Sequence, residues 1–429
     1  MNTTMNTTMN TTMNTAAGTA AGTTVNAAAG TASDPVTGLP DPAGGAGAAR
    51  RPRVLCAPDK FRDALSAQEA AEAMAAGARL AGWEALTHPL ADGGEGSLEA
   101  VVGSAGGSYQ TVDAVDPLGR PHRTRLGWLP DRTAVVEAAE VIGLAALAPA
   151  DRDPLRSGSA GLAAPVLAAV AGGARRIVVF LGGTATVDGG TGLLAALGAH
   201  LTDERGEPVP GTGAGLARIA HADLAPARRA LCGIPLEAAT DVRSPLYGPD
   251  GAAFVFGPQK GAGPRDVARL DEGLRRFAPL LGSAADVRGA GAAGGLGAAL
   301  TALGERPPLL GAEVVLDLTG FAARLATVDL CLSGEGRIDR STAAGKTPHA
   351  VLTAAARAGV PCALVGGTVT AEAEELYAHH AAGIVAVGRR PRPLAEAFTT
   401  TADDLATTVR ALCTLAGAFR PVPAGAAGR

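Results

Sequence analysis

Short apolar runs alternate along this chain with longer segments whose apolar positions recur at helical spacing. The runs at residues 54–57, 176–181 and 236–239 have the length of buried strands, and each ends in a loop rich in glycine or charged residues. Residues 265–281 show the spacing of an amphipathic helix. Strands that alternate with loops and helices predict an α/β fold with parallel sheets, whose ligands lie at the carboxyl ends of the strands.

Three further helices follow from the same pattern. Ser66 and Glu69 have the spacing of a capping box, which predicts a helix from there to about Leu80. Residues 156–171 and 394–415 are rich in alanine and leucine, and both segments are predicted to be helical.

The segment 328–348 combines a strand, a polar loop and a helix N-terminus. Residues 328–332 are typical of a buried strand, and Thr347 followed by Pro348 predicts an N-cap and the first helical position. The loop between them carries Glu335, Arg337, Asp339 and Lys346 beside three glycines. Because backbone N–H groups at the positive end of a helix bind anions, this arrangement predicts a phosphate site. It is not a Walker A motif, which requires glycine where Arg340 stands.

Two glycine-rich loops carry carboxylates. Asp92 and Glu95 flank paired glycines within residues 90–97, and four glycines surround Asp188 within residues 182–191. Glycine lets the backbone approach a ligand closely, so both loops are candidate sites. A plain tight turn, or a strand exit that needs positive φ, is the alternative explanation for each.

Lysine is scarce, and its placement is informative. Of the 37 Lys and Arg residues, only Lys60, Lys260 and Lys346 are lysine, and all three lie in loops that contain glycine or proline. A chain that otherwise uses arginine keeps lysine mainly where a compact, mobile charge is needed. Chance placement is the alternative; a functional role for at least two of them is the better hypothesis.

Composition narrows the class of protein. A net charge of −4 gives no reason to expect nucleic-acid binding, and no apolar run reaches membrane-spanning length. The five cysteines are scattered without C-x-x-C spacing, as in reduced cytoplasmic proteins. Residues 1–50 are of low complexity and lack the features of a secretory signal; they and residues 417–429 are predicted to be disordered tails.

A glycine pattern near residue 290 suggests a different function. Residues 289–294 match G-x-G-x-x-G, with Asp317 as a candidate ribose-binding acid. A dinucleotide fold needs a strand directly before the first glycine, and residues 285–288 are a poor strand. An NAD-linked hydroxyacid dehydrogenase is therefore a weak alternative, and close helix packing explains the glycines as well. A non-catalytic organic-acid-binding protein is a third possibility, but it would not need so many charged groups at strand ends.

Those charged groups suit one chemistry best. The residues on loops that leave strands or enter helices are Lys60, Asp92, Glu95, Asp188, Asp241, Lys260, Glu335, Asp339 and Lys346. Acids can hold a magnesium ion, while lysines and N–H groups neutralise phosphates. Transfer of a phosphoryl group to an alcohol would also use one carboxylate as a base.

Six dispersed motifs resemble one family, the bacterial glycerate kinases of the first type, which phosphorylate D-glycerate with ATP. The motifs lie at residues 57–61, 91–96, 182–190, 257–262, 289–297 and 334–348, and they include Ala-Pro-Asp-Lys-Phe, Ala-Asp-Gly-Gly-Glu-Gly and Gly-Pro-Gln-Lys-Gly-Ala. The resemblance covers residues 53–415 in the family's order. Asp63 stands where the family commonly has glycine, and Arg62 where it commonly has lysine.

The resemblance implies a two-domain α/β fold. A Rossmann-like parallel-sheet domain would be formed from both ends of the chain, residues 51–98 and 285–416, with a second α/β domain, residues 99–284, inserted between them. It also implies ATP and Mg²⁺ as cofactors and a product that is commonly 2-phosphoglycerate. A glycerate 3-kinase giving 3-phosphoglycerate is the alternative.

Roles are assigned to individual residues as hypotheses. Those predicted to bind substrate are Lys60, Arg62, Asp92 and Glu95. The catalytic candidates are Asp188, Lys60 and Asp241, with Asp188 as base or metal ligand; Asp339 is the second metal candidate. The residues predicted to bind phosphate or ATP are Gly182, Gly183, Thr184, Lys260, Gly334, Glu335, Arg337 and Lys346.

Overall fold

The structure is a computed structural model that describes residues 50–388, 390 and 392–419. The two predicted disordered tails, 1–50 and 417–429, lie outside the described residues except for Arg50 and residues 417–419. The described residues belong to one compact unit that begins at Arg50. Within them, no helix is both long enough and apolar enough to cross a membrane.

Strands and helices alternate through this unit as the apolar pattern predicts. The strands are β1 Arg53–Cys56, β2 Glu84–Thr87, β3 Ser108–Val115, β4 Pro121–Trp128, β5 Thr133–Glu137, β6 Arg176–Phe180, β7 His200–Thr202, β8 His221–Asp223, β9 Leu236–Thr240, β10 Leu309–Leu310, β11 Leu330–Ile338, β12 Cys362–Val369 and β13 Ala381–Ala386. The helices are α1 Ala67–Leu80, α2 Ser97–Ala105, α3 Ala138–Ile142, α4 Ala163–Ala171, α5 Thr191–Ala196, α6 Ala225–Ala230, α7 Ala252–Phe256, α8 Pro264–Leu281, α9 Ala292–Gly304, α10 Gly311–Leu318, α11 Phe321–Leu325, α12 Arg340–Ala343, α13 Thr347–Ala358 and α14 Leu394–Ala418.

Two sheets organise the molecule. The first has the order β13-β12-β11-β1-β2, is parallel throughout and draws its strands from both ends of the chain. The second has the order β10-β9-β6-β5-β4-β3, parallel from β10 to β5 and antiparallel at the β4 and β3 edge. The predicted α/β class with a parallel sheet built from both chain ends is confirmed. The domain boundaries stay a prediction; β10, which follows residue 284, extends the second sheet.

One apolar core joins the two sheets. It contains Leu55 and Cys331 from the first sheet and Val135 and Val178 from the second, together with side chains of α2, α10, α11 and α13. On the opposite face of the first sheet, α1 packs closely on α14: a Cβ at Gly77 would lie 2.0 Å from the carbonyl oxygen of Ala406. Because burial of these faces fixes the sheets, the loops at their carboxyl ends are held in place.

Strand β11 is longer than the sequence predicts. The expected strand ended at residue 332, whereas β11 runs to Ile338 and pairs with β12 as far as Val369. Glu335 and Arg337 therefore lie on a strand rather than in a loop. Gly334 is required by packing, because a Cβ there would lie 2.0 Å from the carbonyl oxygen of Val365. Glycine in a strand can mark such a close approach, which sequence pattern alone does not distinguish from a loop.

Two predicted helix starts are also wrong. The helix expected from residue 156 begins at Ala163 as α4, after a 3₁₀ turn at Ala160–Leu162. Ser159 lies before this turn, and its backbone N–H and hydroxyl both donate to Asp188. Thr347 is the first residue of α13 rather than its N-cap, which is Lys346. Its hydroxyl donates to Asp59 instead.

Candidate active site

The carboxyl ends of both sheets border one cleft. Loops that leave β1, β2, β6, β9 and β11 supply its walls, as expected for parallel strands. We name its two parts by their position. The β6/β9 pocket is lined by Glu95, Gly182, Gly183, Thr184, Asp241 and Lys260, and the β11 pocket by Asp59, Glu335, Arg337, Asp339 and Lys346. Lys60, Arg62 and Asp92 line both pockets, so the two pockets adjoin at these residues.

The loop after β1 places two cations at the junction of the pockets. Lys60 Nζ donates to the carbonyl oxygen of Glu95 at 2.8 Å, and this bond ties the β1 loop to the β2 loop. Arg62 is exposed and has no hydrogen-bond or ion-pair partner among the residues that the structure describes. Asp63 has a φ of 65°, so it adopts the left-handed turn that glycine adopts freely. The turn of this loop is therefore compatible with aspartate.

Asp59 is a site residue that the sequence reasoning missed. It is buried, its Oδ1 accepts from the Lys60 backbone N–H at 2.6 Å, and its Oδ2 accepts from the Thr347 hydroxyl at 2.7 Å. Burial and the nearby Asp92 carboxylate raise the pKa of Asp59 to about 7. A carboxylate that directly precedes Lys60 at a strand exit was the available signal. Asp59 links the β1 loop to the N-terminus of α13.

Carboxylates crowd the centre of the cleft. Asp92 accepts from the Gly94 backbone N–H at 3.0 Å. The Asp241 side chain is exposed to the cleft, where desolvation by the surrounding walls and the charge of Asp92 raise its pKa. Like charges held this close favour either a bound cation or a shared proton. The described residues contain no cluster of three or more His, Cys, Asp or Glu side chains arranged as a metal centre. Magnesium bound mainly through phosphate oxygens and one or two carboxylates fits such a site.

Lys260 is buried at the floor of the β6/β9 pocket. Its Nζ donates to the carbonyl oxygen of Thr186 at 2.7 Å and to the hydroxyl of Thr184 at 3.3 Å. Burial lowers the pKa of Lys260 to about 7, against an opposing influence of Asp188. An anion in this pocket would favour the charged amine, so the pocket is suited to a carboxylate or phosphate.

The structure does not bring Asp188 to the cleft wall. It is fully buried, and its carboxylate accepts from Ser159 N–H at 2.8 Å, Ser159 Oγ at 2.7 Å, Gly190 N–H at 3.0 Å and Gly192 N–H at 3.1 Å. Burial raises the pKa of Asp188 although these donors favour the ionised form. Its oxygens are thus engaged in holding the 182–191 loop, and it does not share a pocket with Asp339, the other predicted metal ligand.

The β11 pocket carries paired charges beside a helix N-terminus. Lys346 Nζ lies 3.7 Å from Glu335 Oε2, and Glu335 Oε1 accepts from the Thr342 hydroxyl at 2.6 Å. Asp339 accepts from the Ser341 backbone N–H and pairs with Arg337 at 3.0 Å. Since Lys346 immediately precedes the 12-residue helix α13, its ammonium group and free helical N–H groups lie at the same end. Gly334, predicted in this site, lies within β11 and lines neither pocket.

Comparison with known proteins agrees with this site. The model of the glycerate kinase family matches residues 54–417. The chain belongs to the glycerate kinase family.

Individual relatives agree over most of their length. A glycerate kinase of Bacillus subtilis is 38% identical over 83% of this chain and 96% of its own. A glycerate 2-kinase of Escherichia coli is 34% identical over 82% of this chain and 95% of its own. A crystal structure from Salmonella typhimurium LT2, described as a glycerate kinase 2, superposes with a TM-score of 0.75 at 36% identity, covering 86% of this chain and 99% of that one. The chain is accordingly a kinase, a phosphotransferase with an alcohol acceptor.

The dehydrogenase alternative loses its support in this glycerate kinase family member. Residues 282–285 form a 3₁₀ turn, and residues 286–288, directly before Gly289, form bends and a turn rather than a strand. Asp317 lies on helix α10 beside Arg176. A Cβ at Gly294 would lie 2.0 Å from the carbonyl oxygen of Thr186. The glycine motif is therefore a close packing surface for the 182–191 loop of the kinase site.

We expect Lys260 to make the stability of this kinase depend on pH. Its folded pKa of about 7 lies below the ordinary value of 10.5, so between these values the unfolded chain binds a proton that the folded chain lacks. The free energy of unfolding should then rise with pH across this window, by up to about 1.4 kcal/mol per unit. Lys260→Met should lack this contribution. Urea unfolding of both proteins at pH 7, 8.5 and 10 measures it, and parallel curves would refute the assigned pKa.

Asp188→Asn should mainly affect folding. The new amide NH₂ group would face N–H donors, so we expect the free energy of unfolding to fall by about 2–4 kcal/mol. At a temperature where the variant is folded, we expect kcat to fall less than about tenfold, because the Asp188 oxygens are already engaged with Ser159 and the loop backbone. Denaturant unfolding and steady-state kinetics on the same preparation separate the two effects. Unchanged stability with a kcat lowered by a factor of about 10² or more would restore Asp188 as the base.

Proposed function

We propose that the protein is an ATP- and Mg²⁺-dependent glycerate kinase that phosphorylates the 2-hydroxyl of D-glycerate. The observation that carries the proposal is that Lys60, Arg62 and Asp92 line both the β6/β9 pocket and the β11 pocket. A phosphoryl group that passes between the pockets crosses these residues. Positioning and charge neutralisation supply most of the catalysis of phosphoryl transfer.

Glycerate occupies the β6/β9 pocket. Its volume of about 190 Å³ lies below the range of about 300–1,000 Å³ usual for larger ligands, which favours a three-carbon acid. Lys60 and Arg62 face the substrate carboxylate, and Lys260 lies on the floor with a pKa that an anion would raise. Glycerate and its phosphate ester are both anions, so the same cations serve substrate and product.

The triphosphate occupies the β11 pocket. Lys346 and the N-terminus of α13 face the terminal phosphates, and Arg337 lies on the adjoining strand. Magnesium, when bound with the nucleotide, would neutralise part of the phosphate charge during transfer. Asp92 would hold the ion, because its charge already raises the pKa of both Asp59 and Asp241 and a cation would relieve that repulsion. Asp339 is a second candidate on the far wall.

Asp241 acts as the base in this proposal. Asp241 lies in the β6/β9 pocket at the end of β9. Its pKa is raised towards neutral pH, where a general base is most efficient. It accepts the proton of the substrate hydroxyl as the oxygen attacks the γ-phosphorus and the bond from that phosphorus to the bridging oxygen breaks, which releases ADP. Lys60 stabilises the charge that develops on the transferring group. Asp188, whose oxygens are engaged with Ser159 and the loop backbone, keeps Gly182–Thr184 in place.

The 2-position is favoured by the relative described as a glycerate 2-kinase, which is 34% identical to this chain. Phosphorylation at the 3-position is the alternative. A cytoplasmic location also belongs to the proposal, since ATP is the donor and all five cysteines are free thiols.

The test is a reaction of the purified protein with ATP, Mg²⁺ and D-glycerate, followed by release of ADP and by proton-coupled ³¹P NMR. Phosphate on C2 couples to one proton and gives a doublet, whereas phosphate on C3 couples to two and gives a triplet. We expect ADP release that requires D-glycerate and is abolished by EDTA, with a doublet product signal. A triplet would contradict the 2-position, and ADP release independent of glycerate would contradict the acceptor.

A further inference from the structure

A third pocket adjoins the cleft at the carboxyl ends of β12 and β13. This β12/β13 pocket has a volume of about 320 Å³. Gly336 of β11, Gly367 and Thr368 of β12, and Gly388 after β13 form one side of it. The kinase mechanism described above does not use this space.

The β12/β13 pocket is lined by strand backbone and by a largely apolar face of α14. A Cβ at Gly367 would lie 2.5 Å from the carbonyl oxygen of Gly336, so two strands meet there as bare backbone. Opposite them, Leu394, Ala397, Phe398 and Thr401 lie on one face of α14, at the spacing of successive helical turns. Leu394 is 67% exposed, and the Phe398 ring is half-buried. The β12/β13 pocket thus offers an aromatic ring and an exposed leucine side chain for contact with a planar group.

The charged residues that the β12/β13 pocket shares with the neighbouring pockets indicate which ligand it would hold. Arg62 lines the β12/β13 pocket, the β11 pocket and the β6/β9 pocket, and Gly336 lines the first two. Arg390 and Arg392 also line the β12/β13 pocket, and they are paired with Glu396 and Asp404. A ligand could therefore extend from the β12/β13 pocket past the unpaired guanidinium of Arg62 into the proposed phosphate pocket. Such a ligand has a planar end and a polyanionic end.

A competing pocket is less suitable. The α1/α2 pocket, of about 480 Å³, lies beside Lys60 and contains the carboxylates Asp59, Glu95 and Glu99. Its second cation, Arg324, donates to the backbone carbonyl oxygens of Thr87 and Ser104. The lining of the α1/α2 pocket thus carries three carboxylates against two cations, whereas the lining of the β12/β13 pocket carries three arginines and no carboxylate. A polyanionic ligand is therefore favoured beside the β12/β13 pocket.

We propose that the β12/β13 pocket binds the nucleoside part of the phosphoryl donor, with the purine ring against Phe398 and the ribose near Thr368. This inference rests on the proposed function, and it adds which sheet holds the donor. The nucleoside lies at the ends of β12 and β13, the phosphates run past Arg62 to Lys346, and the acceptor lies at the ends of β6 and β9.

The test compares a variant that fills each pocket. Ala397→Trp fills the β12/β13 pocket, and Gly103→Trp fills the α1/α2 pocket, where a Cβ at Gly103 meets no atom within 4 Å. Binding of Mg-ADP is measured by isothermal titration calorimetry, and inhibition by inorganic triphosphate is measured in the kinase assay. We expect Ala397→Trp to raise the Kd of ADP at least about tenfold and Gly103→Trp to change it less than about twofold. Inorganic triphosphate should inhibit both variants as it inhibits the unmodified protein.

Phe398→Ala provides a second variant that needs no larger side chain. Loss of a stacking ring should weaken ADP about fivefold or more and leave triphosphate inhibition unchanged. Unaltered ADP affinity in both Ala397→Trp and Phe398→Ala, or weakening confined to Gly103→Trp, would overturn the location. If the unmodified protein bound no ADP, ATP would be the wrong donor in the proposed function, and the proposed nucleoside site would be wrong as well.

Discussion

Asp241→Asn should lower kcat by a factor of about 10² to 10⁴, with a much smaller change in the KM for glycerate. Asparagine has nearly the shape of aspartate but accepts no proton from the substrate hydroxyl. The raised pKa of Asp241 adds a pH signature, because the protonated acid cannot act as a base. The kcat/KM of the unmodified enzyme should fall as the pH drops through this pKa, and the variant should lose that acidic limb. Steady-state kinetics from pH 5 to 9 measures both effects.

Asp250→Asn is the matched control. Asp250 lies in the same stretch of chain, is exposed and borders neither part of the cleft. The Asp250→Asn substitution removes the same charge as Asp241→Asn, but outside the cleft, so kcat and the pH profile should remain those of the unmodified protein. If Asp241→Asn behaved like this control, Asp241 would not be the base, and Asp92 would be the next carboxylate to examine.

Lys60→Met should lower kcat/KM for both substrates by a factor of about 10² to 10³, the usual cost of removing one group that stabilises the transition-state charge. Lys60 borders both pockets, so its loss should weaken the binding of both glycerate and nucleotide. Its bond to the carbonyl oxygen of Glu95 also positions the β2 loop. Initial rates with each substrate varied in turn measure the two KM values and kcat.

Arg357→Met serves as the control for loss of a cation. Arg357 is exposed in the last turn of α13, at the end of the helix opposite Lys346. We expect its kinetics to match those of the unmodified protein. If Lys60→Met lowered kcat/KM for only one of the two substrates, Lys60 would serve one pocket rather than the junction of the pockets.

Much of the cleft was predictable because parallel strands place their exits together. Lys60 follows β1 and Asp241 follows β9, and each is preceded by an apolar run that the sequence identifies as a strand. The strand β2, which precedes Asp92, was not predicted. Once these runs are parallel and buried, their loops must meet at one edge of a sheet. What could not be predicted was the facing of two separate sheets across the cleft, since it depends on the shared core of α2, α10, α11 and α13.

Asp188 marks the limit of sequence reasoning. A carboxylate among four glycines predicts an exposed ligand-binding group, yet its donors include Ser159, 29 positions earlier in a segment predicted to be helical. The direction in which a loop side chain points depends on such distant partners. Asp59 is the converse case, since its bond to Thr347 spans 288 positions. Both are buried acids whose role becomes visible only when the chain is folded.

The central claim is that one continuous cleft holds a triphosphate beside glycerate, with Lys60 and Arg62 between them. A crystal structure with D-glycerate, Mg²⁺ and a non-hydrolysable ATP analogue tests it most directly. We expect the γ-phosphate beside Lys60 and Lys346, and the glycerate in the β6/β9 pocket with a hydroxyl facing Asp241. Density for the two ligands in pockets that Lys60 and Arg62 do not join would contradict the account.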